Sequence, residues 1–143
     1  MSTAARKIVV AVDPSDQAEQ AFQWYLSTVH RPENEVILLF INVTSSAAES
    51  SEDTPKKEPQ TVKSMEDKYN GWILEKGISG RMRTESGSKK GETICRVAEE
   101  EDATMIIVGT RGLGKVRRTI MGSVSDYVVH HAPCPVIVCR QIT

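Results

Sequence analysis

Short apolar runs alternate along this chain with segments whose apolar residues recur at helical spacing, and this alternation constrains the fold more than any other feature. The runs Ile8–Val12 and Val36–Val43 are rich in β-branched and aliphatic residues with little polar alternation, which is typical of strands buried on both faces. Strands that alternate with helices form right-handed crossovers and a parallel sheet. The sequence therefore predicts an α/β fold with helices on both faces of the sheet.

The predicted elements fill one domain over residues 1–143, which suits a chain of 15.8 kDa. We predict strands at 7–12, 36–43, 81–86, 105–108 and 135–140, and helices at 16–29, 62–73, 91–101 and 123–131. The third strand is polar, which favours a position at the edge of the sheet. In the first helix we expect Asp16 and Glu19 to form a capping box. We expect His30, at the end of this helix, to interact with the negative end of the helix dipole.

Residues 44–60 are rich in Ser, Glu, Pro and Lys, which predicts a mobile surface loop.

A glycine-rich stretch follows the fourth predicted strand. Glycine allows the backbone to approach a ligand closely, because it has no Cβ. Ser123 is a suitable N-cap with Asp126 three residues later, so the amides of Val124 and Ser125 should face outward at a helix start that attracts anions. A glycine-rich connection beside a solvated basic run would also explain the stretch, so the glycines alone leave both interpretations open. The residues of interest are Gly109, Gly112, Lys115, Arg117, Arg118 and Gly122.

The spacing of this stretch is more specific than its composition. Two residues separate Gly109 from Gly112, nine separate Gly112 from Gly122, and Ser123 follows directly. This pattern resembles the nucleotide signature of the ATP-binding universal stress proteins. The runs Ile8–Asp13, Ile107–Gly112 and Ala132–Val138 look like that family as well, so the resemblance covers essentially the whole chain. It implies a Rossmann-like, doubly wound five-stranded sheet in the order 3-2-1-4-5, with a ligand crevice where the winding reverses between strands one and four.

The resemblance also implies the roles of individual residues. It implies contacts with adenine and ribose from the end of the first strand and the end of the second, and contacts with ribose and phosphates from the glycine-rich stretch and the following helix. Pro14 departs from the glycine that the family often has after the first-strand acidic residue, and proline removes one backbone donor there. The implied site is Ala11, Val12, Asp13, Val43, Gly109, Arg111, Gly112, Gly122, Ser123, Val124 and Ser125.

Charge and composition exclude several classes of partner. The formal net charge of -1 gives no general electrostatic attraction to nucleic acid or to an anionic membrane, and no apolar run is long enough to span a bilayer. The N-terminus leads into a strand without a secretory apolar region. Three cysteines, Cys95, Cys134 and Cys139, lack paired metal-binding spacing and are expected to be small buried hydrophobes. We therefore expect a cytoplasmic protein that binds neither nucleic acid nor membrane.

Rival nucleotide-binding classes do not fit the motifs. Asp13 and Asp16 stand where a dehydrogenase or a flavodoxin would bind phosphate, and Val116 follows Gly114 and Lys115 where a P-loop needs Ser or Thr. A receiver domain needs an acceptor carboxylate after its third strand, for which Glu85 on a polar segment is poorly suited. No nucleophile and base stand out as a pair. The resemblance implies a nucleotide-dependent regulator of stress response or survival, and a slow ATP hydrolase on the same site and a nucleotide-free stress-associated scaffold remain the alternatives.

The expected ligand is ATP, and a divalent metal such as Mg²⁺ is left open. We also expect a homodimer through the fifth strand, because its apolar run Val136–Cys139 lies at a sheet edge in the implied order, and the resemblance points to the same contact.

Overall fold

The computed structural model describes residues 6–43, 58–110 and 122–140, which form five strands and four helices in strict alternation. No helix among these residues is both long enough and apolar enough to cross a membrane. The elements are β1 (Arg6–Val12), α1 (Asp16–Thr28), β2 (Asn34–Val43), α2 (Glu58–Glu75), β3 (Ser79–Gly87), α3 (Lys90–Glu101), β4 (Met105–Gly109), α4 (Ser123–His131) and β5 (Val136–Cys139).

The strands form one parallel sheet in the order β3-β2-β1-β4-β5, which confirms the expected doubly wound topology. In β1, Val9 pairs with Ile37 of β2 on one side and with Ile106 of β4 on the other. The chain winds outward from β1 in both directions, so the carboxyl ends of β1 and β4 separate two oppositely wound halves. A crevice is expected at this switch point.

The two faces of the sheet carry separate apolar clusters. Ile8 and Val10 of β1 pack with α1 and α2, where Phe22, Tyr25 and Tyr69 are fully buried. The alternate residues of the sheet pack with α3 and α4 on the other face. Helices on both faces are thus confirmed, and the sheet is buried on both sides because successive side chains of a strand point in opposite directions.

The start of α1 differs from the prediction. Ser15, not Asp16, is the N-cap, and its Oγ accepts a hydrogen bond from the amide of Ala18 at 3.2 Å. Asp16 and Glu19 instead lie in the first turn, where their charges favour the positive end of the helix. Neighbouring Ser and Asp residues are both good caps, so local sequence preference did not separate them.

The start of α2 also differs. The helix begins at Glu58, so residues 58–60 of the predicted loop are helical. Pro59 is compatible with this because a proline in the first turn of a helix lacks an amide hydrogen that would have no partner there in any case. The rest of the predicted loop, residues 44–57, lies outside the described residues. The helix ends at Glu75, two residues after the predicted end, and Gly77 follows it with a φ of 62°, which favours glycine.

His30 has a different role from the one expected. It follows the C-cap Val29, and its Nδ1 lies 2.8 Å from the hydroxyl oxygen of Tyr25. Asn34, which is 1% exposed, donates from Nδ2 to the same hydroxyl at 3.0 Å and accepts from Nε of Arg6 at 3.1 Å. A chain of hydrogen bonds rather than the helix dipole therefore holds His30 in place.

The polar third strand lies at the sheet edge, as predicted. Arg83 donates to Glu85 and Glu101 at 2.8 and 2.6 Å, and Arg96 of α3 donates to Glu85 at 3.1 Å. Hydrogen bonds from Arg83 and then Arg96 lower the pKa of Glu85. The β3 edge therefore presents fixed charges of both signs, which discourage another strand from pairing there.

Candidate functional site

A crevice of about 250 Å³ opens at the carboxyl ends of β1 and β4, where the winding of the sheet reverses. Residues 11–13 of β1 and its following turn form one side, Gly109 closes β4, and residues 122–125 at the start of α4 form the opposite side. The structure thus brings together eight of the predicted site residues, which lie in three separate parts of the sequence: Ala11, Val12, Asp13, Gly109, Gly122, Ser123, Val124 and Ser125.

The other three predicted site residues are not among the described residues that line the crevice. Arg111 and Gly112 lie outside the described residues, as do Lys115, Arg117 and Arg118 of the same stretch. Val43 ends β2 opposite Gly87 of β3, and its side chain is not described. The described part of the predicted phosphate site therefore consists of Gly109 and the start of α4.

Asp13 is held by the turn that follows it. Its Oδ1 accepts hydrogen bonds from the backbone amide of Ser15, at 2.8 Å, and from the Ser15 hydroxyl. Because Ser15 also caps α1, one residue both starts the helix and orients the carboxylate. Pro14 is exposed and needs no amide for this arrangement. The turn leaves Oδ2 of Asp13 facing the crevice wall formed by α3, where it lies 3.8 Å from Nζ of Lys90.

Lys90 is a lining residue that the sequence did not reveal. It is the first residue of α3, and its side chain is 27% exposed. No local spacing connects it with Asp13, because the two residues are brought together only when α3 packs beside the end of β1. Within the described lining, Asp13 and Lys90 supply one carboxylate and one amine, so the ionisable side chains of this part of the crevice form a neutral pair.

Gly109 is explained by packing against α1. A Cβ on this residue would stand 3.0 Å from the Gln17 carbonyl oxygen and 3.4 Å from the Ala21 Cβ. The amide of the next residue, Thr110, donates to the Cys139 carbonyl at 3.0 Å and so directs the chain past the end of β5. Gly109 is therefore required by the protein itself, and its phosphate role stays a prediction.

Gly122 has no such explanation. Its φ of -65° and ψ of 162° are open to any residue, and a Cβ there would meet nothing within 4 Å among the described atoms. The space beside Gly122 belongs to the crevice. Among the described residues, neither packing nor backbone conformation requires a glycine at this position. A ligand bound close to the backbone would require one.

The cap of α4 is a correction to the prediction. Gly122 is the N-cap, Ser123 is the first helical residue, and no side chain caps the helix. Asp126 therefore takes no part in a capping box; its amide donates to the Gly122 carbonyl at 2.9 Å and its side chain lies 3.4 Å from Nε2 of His130. The first amides of an uncapped helix have no partner inside the helix, so this end of α4 is suited to an anion.

An apolar wall completes the crevice on its inner side. Leu39 and Ile41 of β2, Ile94 of α3 and Val108 of β4 all line it. All four are at least 95% buried, and Leu39 and Ile41 belong to the run Val36–Val43 that was expected to be buried on both faces. Because successive side chains of a strand point to opposite faces, the sequence shows that Leu39 and Ile41 share a face of β2. It does not show that this face lines the crevice.

No group of three or more potential metal-ligating side chains is found in the described ranges. Cys95, Cys134 and Cys139 are free and partly buried, and burial raises the pKa of each thiol. The described residues of the crevice therefore offer backbone amides, serine hydroxyls, the Gln17 side chain, one carboxylate and one amine as polar groups, beside an apolar wall.

The fold and the crevice together define a Rossmann-like α/β protein with an open site at its switch point. The universal stress protein family model matches residues 4–140, and the chain belongs to this family. A Staphylococcus aureus protein of strain USA300 that carries the universal stress protein name is 34% identical over 141 residues, covering 94% of this chain and 84% of the relative.

Solved structures show the same fold. A family protein from Arabidopsis thaliana with AMP bound has a TM-score of 0.74 and 24% identity, covering 96% of this chain and 93% of that one. The Archaeoglobus fulgidus protein in complex with dAMP has a TM-score of 0.68 and 24% identity, covering 93% and 96% of the two chains.

Proposed function

We propose that this protein binds an adenine nucleotide, ATP above all, in the crevice between β1 and β4, and acts as a nucleotide-dependent regulator of stress response or survival. The observation that carries the proposal is the meeting of Asp13, the apolar wall and the uncapped start of α4 around one crevice. The family members solved with AMP and with dAMP support the choice of adenine.

The apolar wall suits the base. Leu39, Ile41 and Val108 offer flat aliphatic surface at the inner end of the crevice, and a nucleobase is the part of a nucleotide that gains from leaving water. Asp13 lines the same crevice, with Ser15 fixing its orientation. In this arrangement the carboxylate accepts hydrogen bonds from ribose hydroxyls, which are donors of the right kind.

The start of α4 suits the phosphates. Gly122 leaves room beside the backbone, and the amides of the first turn point away from a helix whose dipole is positive at this end. Arg111 and Gly112 belong to the same proposed phosphate site. A Mg²⁺ ion bound with the nucleotide would be held chiefly by phosphate oxygens and water, as is usual for this ion.

We infer a binding and regulatory role rather than efficient hydrolysis. The described lining has one carboxylate, Asp13, and it is already engaged by Ser15 and beside Lys90, so it is a weak general base for activating water. Slow hydrolysis would appear as loss of ATP over hours above a buffer blank. A cytoplasmic location and a homodimer through β5 complete the proposal.

The direct test is to denature freshly purified protein and identify any released small molecule by mass. We expect ATP or its breakdown products. Calorimetric titration of the emptied protein with ATP, AMP, adenosine and GTP should then show binding of the adenine compounds and weaker binding of GTP. A protein that releases no nucleotide and gives no heat with any of these compounds would be a scaffold, and the proposal would be wrong.

A further inference from the structure

A second crevice of about 430 Å³ adjoins the first and is more open to solvent. The two share Lys90, Ser123 and Val124, so they meet at the start of α3 and the start of α4. Lys89, Glu92 and Tyr127 line the second crevice but not the first. A ligand that fills the first crevice and extends past Ser123 therefore enters the second, and it passes Lys90 on the way.

Lys90 stands at this junction, paired with Asp13 in charge but not hydrogen-bonded to it. Its Nζ lies 3.8 Å from Oδ2 of Asp13, which is close enough for an ion pair but too long for a hydrogen bond. A lysine ammonium has three N–H donors, and an anionic oxygen in either crevice could accept from them. The Asp13 charge alone would repel a phosphate, and Lys90 cancels that repulsion at short range.

The neighbouring lysine is differently placed. The Lys89 side chain is 72% exposed and pairs with Glu92 at 3.9 Å along the surface of the same helix. It does not line the first crevice. Lys90, with 27% exposure and contact with both crevices, is therefore the one of the two that lies where a nucleotide would pass from the first crevice into the second.

From this arrangement we infer that Lys90 makes the site select a nucleoside polyphosphate over the nucleoside or the monophosphate. The adenosine part occupies the first crevice, and the phosphates beyond the first extend past Ser123 into the second, where the Lys90 ammonium donates to their oxygens. This inference rests on the proposed function, since it concerns the same ligand in the same crevice. It makes Lys90 a specificity-determining residue rather than a mere partner of Asp13.

The test compares ligands of increasing phosphate number. Adenosine, AMP and ATP are titrated by calorimetry into the parent protein, into Lys90→Gln and into Lys63→Gln. Lys63 is a matched control because it is exposed on α2 and pairs with Asp67 in the same helix. We expect Lys90→Gln to weaken ATP binding by roughly tenfold to a hundredfold, the usual effect of losing a charge-assisted hydrogen bond, and to change adenosine binding less than about threefold.

Lys90→Arg serves as the second variant and should keep most of the preference for ATP, because it keeps the charge. Circular dichroism and thermal unfolding establish that each variant folds. If Lys90→Gln weakens all three ligands equally, Lys90 acts only by holding Asp13 and the inference is wrong; unchanged ATP binding overturns it as well. A parent protein that binds none of the three ligands overturns the proposed function itself, which is a distinct result.

Discussion

The ring of Tyr127 lies so close to Gly91 that a Cβ on Gly91 would stand 2.8 Å from the Tyr127 Cδ1 atom. This contact sets how closely α3 and α4 approach, and the first turns of both helices border the second crevice. The position of the candidate phosphate site therefore depends on a residue that has no side chain.

The first prediction is that Gly91→Ala lowers the free energy of unfolding by about 1–3 kcal/mol, the usual cost of overpacking. The Tyr127 Cβ would also lie 3.0 Å from the new methyl group, so a ring rotation alone cannot relieve the clash. Urea unfolding measures the effect, and the loss should be smaller in a Tyr127→Ala background. Gly71→Ala, at an open position in α2, should instead stabilise by up to about 1 kcal/mol. A Gly91→Ala protein as stable as the parent would contradict the close contact.

The second prediction concerns Gly122→Glu. A side chain fits there without backbone strain, but its carboxylate enters the space proposed for phosphates and opposes the attraction of the α4 start. ATP affinity should fall at least a hundredfold, about 2.8 kcal/mol at about 1.4 kcal/mol for each factor of ten. Calorimetric titration measures this, and circular dichroism should show an unchanged fold.

The matched control is Gly71→Glu, because a Cβ at Gly71 also meets nothing within 4 Å. Gly80→Glu is unsuitable, since a Cβ there would stand 3.1 Å from the Val36 carbonyl oxygen within the sheet. If Gly122→Glu binds ATP as tightly as Gly71→Glu, the phosphates do not lie at the start of α4.

The third prediction is a pH dependence of stability that arises from His30. Asn34 donates to the Tyr25 hydroxyl, so that hydroxyl donates its own hydrogen to Nδ1 of His30, and this nitrogen must be unprotonated. Burial lowers the pKa of His30, against the opposing effect of the Glu33 charge. The unfolded chain, with a histidine pKa of about 6.5, then binds more protons than the folded one as the pH falls.

The stabilisation from His30 is therefore fully present above about pH 6.5 and is lost as the pH falls below that value. The urea concentration at the unfolding midpoint should be lower at pH 5.5 than at pH 7.5, and this difference should be smaller in His30→Gln. Gly71→Ala, an exposed change on α2 that alters no titratable group, is the control and should leave the slope unchanged. An equal slope in the parent and in His30→Gln would refute the assignment.

The fourth prediction concerns the β5 edge. The carbonyls of Pro135 and Cys139 accept hydrogen bonds from the Ile106 and Thr110 amides, so by the alternation of a strand the amides of Val136 and Val138 point away from β4. Val138→Pro removes one outward donor and leaves the ladder to β4 intact. Sedimentation should show a shift from dimer toward monomer.

A lysine substitution would be a poorer test of the same contact. Ile137 packs against the cluster beneath α1 and α2, and Val138 against the cluster beneath α3 and α4, so a charge at either position would also disturb the core. Thermal unfolding of Val138→Pro shows whether the monomer itself survives the change. Unmodified protein that sediments as a monomer at high concentration would rule out the β5 dimer.

Much of the fold could be predicted because its signals are local. The apolar run before Asp13 and the helical spacing after Ser123 place β1 and α4 to within one residue of their observed ends. The order of the strands came from the resemblance to the family and could not have come from periodicity, because a pattern of burial within each strand carries no information about its neighbours.

The details of the site were harder to predict for a physical reason. Asp13 and Lys90 are far apart in sequence, and their contact depends on the packing of α3 against the sheet rather than on a motif. The role of Gly109 was equally hidden, since the same glycine suits a ligand contact and a close contact with α1. Sequence spacing identified both glycines, and the structure shows that packing against α1 explains Gly109 but not Gly122.

The two ends of the sheet have consequences for how large an assembly can grow. The β3 end is closed to further strands by the charges of Arg83, Glu85 and Arg96, whereas the β5 end is apolar. A sheet with two open ends can add copies without limit and form fibres, but a sheet with one open end cannot. A pair formed through β5, as proposed, would use the same surface on both copies, so growth would stop at a closed, two-fold symmetric pair.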